Sequence, residues 1–292
     1  GEIEESQAVD ITKDTEERIM QYKKRKESKG MLGIPTGFEG LDRMIKGWQK
    51  KTLTTMIALT GIGKTFFQVI SGAEAQLMGY RVLHLVTEMS EEQMRDRYDA
   101  YLTSKLMGVP INYEKFKNGE LTPQEEEAYF RYLREKAPKL EPLIIDTATG
   151  VSNVAAKIDQ YNPDIVFIDS VYLMEDDRGA DSDWLRVAHI TRDLKTLAKL
   201  KDIPIMINSQ ADANTSRKTG PELENISYSR AIGQDSDIVL ALFRDEQMRE
   251  DGEMKIKVLK QREGKLGSVL INWDLNKMDF SPCFFLRLRS YS

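Results

Sequence analysis

Ala58-Leu59-Thr60-Gly61-Ile62-Gly63-Lys64-Thr65 decides how this chain folds. Before it, Thr54-Thr55-Met56-Ile57-Ala58 is apolar and β-branched enough for a buried strand; behind it, Phe66, Ile70, Ala73 and Leu77 recur at helical spacing. Strand, glycine loop, helix is the order in which backbone N–H groups and the positive end of a helix cradle polyphosphate. Lys64 then reaches the β and γ oxygens, the Thr65 hydroxyl goes to Mg²⁺, and the contacts with nucleotide fall on Thr60, Gly61, Ile62, Gly63, Lys64, Thr65 and Phe66. The pattern G-x-x-x-x-G-K-[ST] is broken at its first position, Ala58. An alanine there requires ordinary backbone geometry, which a strand end provides, while Gly61 and Gly63 keep their freedom nearest the phosphates. The alternative is a chance glycine turn, against which the flanking elements count.

Composition bounds the rest. With 292 residues, 30% charged and 40% hydrophobic, the chain has the make-up of a globular protein with one core domain and an appendage. No apolar run approaches the roughly 20 residues needed to cross a bilayer, so no membrane partner and a cytoplasmic location are expected. A single Cys283 forms no internal disulfide, and His84 and His189 lie too far apart to seed a metal cluster, which leaves nucleotide-borne Mg²⁺ as the expected metal. The net charge of −5 speaks against a coat of cations, though not against a local basic strip. Gly1-Glu2-Ile3-Glu4-Glu5 does not read as a natural beginning, and a preceding portion is expected.

Residues 1–30 read as a polar, helix-favouring arm whose apolar anchors are Val9, Ile11, Ile19 and Tyr22. Such a stripe builds no core of its own; the arm either docks on another surface, as a neighbouring subunit would offer, or remains a solvated leader. Residues 31–292 form the core domain. There, strands are expected at 81–87, 143–146, 165–169 and 203–208, with helices between them starting at the capping boxes Ser90/Gln93 and Thr122/Glu125 and at Ser152, and another from Asp183 to Lys201. Tyr129 and Leu133 are the expected buried side of the helix after Thr122. Alternation of strands and helices predicts an α/β fold with a mostly parallel central sheet flanked by helices. Ile238–Phe243, Met254–Lys260 and Ser268–Trp273 leave little room for helices and are expected to add antiparallel strands.

In such a sheet the ligand sits at the carboxyl ends of the strands. Asp169 ends the most apolar strand, where a phosphate-loop ATPase keeps the carboxylate that orients Mg²⁺. Glu88 follows the strand at 81–87; because Ser170 and not a second acid follows Asp169, Glu88 is the candidate general base, the alternative being a solvated turn residue. Gln210 reads either as a γ-phosphate sensor or as a plain loop amide. Lys260 and Arg262 read either as a surface hairpin or as cations reaching a neighbour's nucleotide.

With these positions named, the chain resembles the ATPase domain of DnaB-family replicative DNA helicases, RecA-type motors that work as hexameric rings. The resemblance runs from about Gly33 to Phe280 and lies in ordered motifs: the loop ending Gly63-Lys64-Thr65, Thr87-Glu88-Met89-Ser90, Ile165 to Asp169, Asn208-Ser209-Gln210, Gly233-Gln234-Asp235-Ser236-Asp237, and Lys260-Gln261-Arg262-x-Gly264. Alanine at the loop's first position is that family's usual form. The resemblance implies a RecA-like P-loop NTPase using ATP and Mg²⁺, with Lys64 and Thr65 binding nucleotide and metal, Glu88 the catalytic base, Asp169 the Walker B acid, Gln210 the sensor, and Lys260 and Arg262 acting on the adjacent subunit's ATP. It also implies that the N-terminal helix docks on a neighbour in a homo-hexamer, that primase and a helicase loader are partners, and that the setting is a bacterial or bacteriophage-infected cell.

Single-stranded DNA is placed by the resemblance in a central pore, against the segment after Asp169 with Arg178 and the segment after Gln210 with Arg217 and Lys218. Six copies at −5 carry −30, so DNA must be held by cations concentrated in a channel. Ala211-Asp212-Ala213-Asn214 departs from the family's leucine- and arginine-bearing continuation. Two other readings share parts of this pattern: a RecA-superfamily ATPase of another class, such as a repair recombinase or a clock-type protein, and a nucleotide-binding module without turnover.

Overall fold

The computed structural model describes residues 10–28, 30–212, 215–216, 219–225, 230–262 and 264–283. In chain order the elements are α1 (Thr15–Glu27), α2 (Glu39–Ile45), β1 (Leu53–Ala58), α3 (Lys64–Leu77), β2 (Val82–Val86), α4 (Glu91–Met107), α5 (Tyr113–Asn118), α6 (Pro123–Arg131), β3 (Leu143–Thr147), α7 (Val151–Tyr161), β4 (Ile165–Asp169), α8 (Asp183–Leu200), β5 (Ile205–Gln210), α9 (Arg230–Asp235), β6 (Ile238–Phe243), α10 (Glu246–Glu250), β7 (Glu253–Lys260) and β8 (Gly267–Asn272). Among the described residues these strands form one sheet in the order β3-β2-β4-β5-β1-β6-β7-β8. All pairs from β3 through β6 are parallel, and β7 and β8 are antiparallel.

Alternation along each strand divides the core between two faces. On one side Met56, Val82, Val86, Phe167, Met206 and Leu240 pack with Phe67 and Ile70 of α3 and Tyr98 of α4. On the other, Leu83, Leu85, Val166, Ile168 and Ile207 pack with Val154 and Ile158 of α7 and Leu194 and Leu197 of α8. Phe167 and Ile168 are adjacent, point to opposite faces and are both fully buried, each burial contributing about 1.5–3 kcal/mol. A strand sealed on both faces cannot slip register without moving apolar side chains out of both layers, so its carboxyl end is a rigid place to mount Asp169.

The two expected capping boxes form. Gln93 N donates to Ser90 Oγ at 3.2 Å and Ser90 N to Gln93 Oε1 at 3.3 Å, starting α4. Thr122 and Glu125 do the same for α6, with Pro123 in its first turn.

Elsewhere tertiary context changes the local reading. Of the expected pair, Tyr129 packs half-buried against the core while Leu133 is exposed, because Ala128 and Tyr132, one turn apart, take the fully buried positions of that helical region. Ser152 is not the cap of α7: the cap position is Gly150, and Ser152 N donates to Asp177, which arrives from the far side of β4. β3 is an edge strand and only half-buried, not sealed on both faces. β5 begins two residues later than expected and includes Gln210. β6 pairs parallel with β1, since α9 supplies a short crossover before it, and the antiparallel part starts only at β7.

No residue of α1 is buried, and Ile19, Met20 and Tyr22 lie open on it. Among the described residues no helix is long and apolar enough to cross a membrane.

Candidate functional site

β1 is buried along its whole length and delivers the chain to the loop at Ala58 in strand geometry, as the alanine requires. The left-handed turns fall on Gly61 (φ +76°) and Gly63 (φ +125°). Gly63 is barred to side chains twice over, by its φ and because a Cβ would lie 2.6 Å from the Trp273 ring, which the end of β8 brings beneath the loop. α3 then starts at Lys64. The Lys64 Nζ donates to Ala58 O at 3.1 Å, which ties the side chain back over its own loop. Burial pulls its pKa down, while the Asp169 and Glu88 carboxylates pull the other way. An ammonium has three donors, so this one keeps capacity for phosphate oxygens.

The Asp169 carboxylate is buried at the end of β4, and both of its oxygens are engaged. Thr65 Oγ1 donates to Oδ2 at 2.5 Å and Asn208 Nδ2 to Oδ1 at 3.0 Å. The registers Val86↔Asp169 and Ile168↔Ile207 set the ends of β2, β4 and β5 side by side. Thr87 cross-ties them: its N donates to Asp169 O at 2.9 Å and its hydroxyl oxygen accepts from Ser170 N at 2.8 Å. The Asp169–Ser170 peptide is cis. A threonine hydroxyl and a carboxylate in contact are hard oxygen donors of the kind Mg²⁺ takes. Among the described residues no group of three or more His, Cys, Asp or Glu side chains that could hold a metal ion occurs.

Glu88 lies two residues beyond β2, after Thr87. Its Oε1 accepts from Ser170 Oγ at 2.7 Å and from the Tyr172 hydroxyl. Gln210, paired in register with Ala58, donates from Nε2 to Thr60 Oγ1 at 2.7 Å and thus touches the phosphate loop. The structure therefore brings Thr60–Thr65, Glu88, Asp169 and Gln210 together at one end of the sheet. The Phe66 side chain points away into the core, edge-on to Tyr113 at 4.9 Å, which leaves only its backbone to face a nucleotide.

Lys260 and Arg262 are not in this group. β7 runs antiparallel to β6, so its end lies at the amino end of the parallel strands. Lys260 Nζ donates to the carbonyls of Gly233 (2.7 Å), Gln234 (3.0 Å) and Ser236 (2.7 Å), binding up the last turn of α9. The Arg262 Nε lies 2.9 Å from Asp237 Oδ1, with the side chain otherwise largely exposed. Asp237 is buried, pairs through Oδ2 with Lys195, and accepts from Leu53 N at 2.8 Å. Leu53 opens β1 and Ala58 closes it. At ~3.3 Å per residue, about 17 Å of strand separates these cations from their own phosphate loop, farther than a side chain spans.

Of the residues expected on DNA, Arg178 pairs with Asp193 of α8. Its segment is tied down further, with Asp176 Oδ2 2.8 Å from His189 Nδ1 and Asp177 on Ser152 N. Arg217 and Lys218 lie outside the described residues.

A model of the DnaB-like helicase C-terminal domain matches residues 33–282. The chain belongs to that family. Its relatives include the replicative DNA helicase DnaB of Geobacillus stearothermophilus, 30% identical over 254 residues that cover 82% of this chain and 54% of that protein. The replicative DNA helicase DnaC of Bacillus subtilis (strain 168) is 30% identical over 276 residues, covering 89% and 58%. A probable replicative DNA helicase of Trieres chinensis is 28% identical over 295 residues, covering 94% and 63%. The chain thus spans a little over half the length of the curated relatives it matches.

Among solved structures, the ATPase domain of G40P superposes with a TM-score of 0.82 at 23% identity, covering 94% of this chain and all of that one. A DnaB-like replicative helicase, described with its interactions with primase, gives 0.78 at 23% identity, covering 92% and 66%. At that identity the likeness is one of fold, and the fold is the RecA-like sheet of these ATPase domains.

Two residues for which the sequence predicts no role also tie this cluster together. Asn208 holds Asp169, and strand alternation carries a signal for it, since residues two apart share a face and Gln210 lies two residues on. Thr87, next to Glu88, was readable in the same way as a strand-end hydroxyl. At the opposite end of β1, Lys195 pairs with Asp237, 42 residues away in sequence; Asp237 belongs to the Gly233–Asp237 motif, whereas Lys195 carries no local signal.

Proposed function

We propose that this chain is the ATP-hydrolysing motor of a replicative DNA helicase that translocates on single-stranded DNA and unwinds duplex as a hexameric ring. Residues 1–30 are then the arm that docks on a neighbouring subunit, and 31–292 the motor. One observation carries the reading: Lys64, Thr65, Asp169 and Glu88 stand at one end of β1, while the exposed cation of the Lys260-Gln261-Arg262 motif stands at the other. Each subunit holds half a site facing each way, and the halves meet only between copies.

In this mechanism the loop N–H groups and Lys64 grip the β and γ phosphates. Thr65 and Asp169 hold Mg²⁺, which neutralises phosphate charge when bound. Glu88 takes the proton of the attacking water. Gln210, already on the loop through Thr60, senses whether the γ-phosphate is present. Arg262 of the adjacent subunit stabilises charge developing on the γ-phosphate. Lys260 braces the end of β7 through its three carbonyl bonds and so sets where Arg262 projects. Arg178, Arg217 and Lys218 line the path of single-stranded DNA, with Arg178 exchanging Asp193 for a phosphate. The arm's open Ile19, Met20 and Tyr22 are the face that a neighbour covers. A primase and a loader complete the assembly in the cytoplasm of a bacterial or phage-infected cell.

The test is complementation. Glu88→Gln and Arg262→Ala proteins, each inactive alone, are mixed and assayed for DNA-stimulated ATP hydrolysis. Shared sites predict partial recovery, because mixed rings contain some interfaces with both groups intact. No recovery at any ratio, with mixed assembly verified by mass, sinks the shared-site reading. Hydrolysis without fork unwinding favours a recombinase instead.

A further inference from the structure

The catalytic base proposed above is not free at its strand end. Glu88 Oε1 accepts two hydroxyl donors, Ser170 at 2.7 Å and Tyr172, whereas Oε2 accepts no hydrogen bond from the described residues. The division is chemically useful. A carboxylate acting as general base needs one oxygen directed at a water, and it keeps that direction only if the rotation about its last bonds is restrained. Two donors on the other oxygen restrain it.

The donors are themselves fixed. Ser170 is fully buried, its N donates to the Thr87 hydroxyl, and that hydroxyl lies 3.0 Å from Ser170 O. Tyr172 sits in a single 3₁₀ turn, Val171–Leu173, between the buried Val171 and Met174, and its carbonyl accepts from Arg186 of α8 at 3.0 Å. Burial and the neighbouring Glu88 carboxylate push its phenol pKa up to about 12, so the hydroxyl keeps its proton and remains a donor at neutral pH. The two ends of β2 and β4 are thus laced by successive residues: Thr87 to the Ser170 backbone, then Glu88 to the Ser170 and Tyr172 side chains.

We propose that Ser170 and Tyr172 are positioning residues of the reaction, which hold Glu88 by Oε1 and present Oε2 to the attacking water. This rests on the reading of Glu88 as the base. Neither residue meets nucleotide in this role; both act through Glu88. They also open the chain segment that leads to Arg178, so the base is hydrogen-bonded to the stretch that is proposed to follow DNA.

The experiment uses the whole chain, with steady-state ATP hydrolysis at saturating single-stranded DNA and titration with a fluorescent ADP analogue. Tyr172→Phe removes one oxygen from an otherwise unchanged ring, and Ser170→Ala one from a buried site, so that if one variant folds poorly the other still reports. Each is expected to lower kcat about tenfold or more, the scale on which outer groups that orient reacting ones matter, with KM for ATP and ADP affinity changed less than about twofold. A kcat within twofold of the parent in both variants overturns the proposal, as does a loss of kcat that tracks a matching loss of nucleotide affinity. Glu88→Gln is measured beside them. If it keeps the parent kcat, the assignment of the base itself fails; if it is inactive while Tyr172→Phe and Ser170→Ala are fully active, only the positioning role fails.

Discussion

Two lysines stand at opposite ends of the same sheet, and their hydrogen bonding differs. Lys64, at the carboxyl end, has one carbonyl partner among the described residues, and burial makes its charge costly. Lys260, at the amino end, also has its pKa lowered by burial, but three carbonyls surround its ammonium. An ammonium offers three donors, so Lys260 is a completed structural tie, whereas Lys64 has donors left over, which the proposed function assigns to phosphate oxygens. Of the two cations in the Lys260-Gln261-Arg262 motif, only the arginine projects, with its side chain 70% exposed, onto whatever lies beyond this face.

The largest effect is expected for Arg262→Ala. If it acts across the interface, DNA-stimulated hydrolysis falls by about 10³-fold or more while nucleotide binding by the same protein is preserved. Loss of ADP-analogue binding in that variant breaks the division between the two ends. Next comes Lys64→Ala, which removes a charge-assisted contact worth about 1.5–3 kcal/mol and is expected to weaken nucleotide binding roughly ten- to a hundredfold, measured by the same titration.

Lys260→Met sharpens the contrast through stability. It leaves carbonyls at the end of α9 without their donor, at a cost of about 1–3 kcal/mol in denaturant unfolding, whereas Arg262→Ala loses about 0–1 kcal/mol because the arginine is largely exposed and the buried Asp237 keeps Lys195 and the Leu53 N–H as partners. A Lys260 variant of unchanged stability and lost hydrolysis would reverse the assignment, making it the second trans cation. Smallest is Gln210→Ala, a neutral amide contact worth about 0.5–1.5 kcal/mol, expected to slow hydrolysis several-fold with ADP affinity intact.

Legibility in the sequence followed how local each feature is. β1, the glycine loop and α3 were readable because strand, turn and helix are consecutive and each carries its own period. The same holds for β4 and for both capping boxes, whose partners lie three residues apart. Ser152 failed as a cap because Asp177, 25 residues away, took over its backbone N–H. Leu133 failed because Ala128 and Tyr132 take the buried face of that helical region, and β6 because parallel pairing depends on which strand lies beside it rather than on its own residues.

By itself, then, the sequence determined the elements, the phosphate-binding loop, and which carboxylates end which strands, since these depend on spacings of a few residues. The order of the strands was decided only by the tertiary structure, and with it the meeting of Glu88 with Ser170 and Tyr172 and the separation of Lys260 and Arg262 from their own loop. Those facts arise from packing two helical layers onto one sheet, where residues distant in sequence become neighbours and a strand's direction decides which end its last side chain reaches.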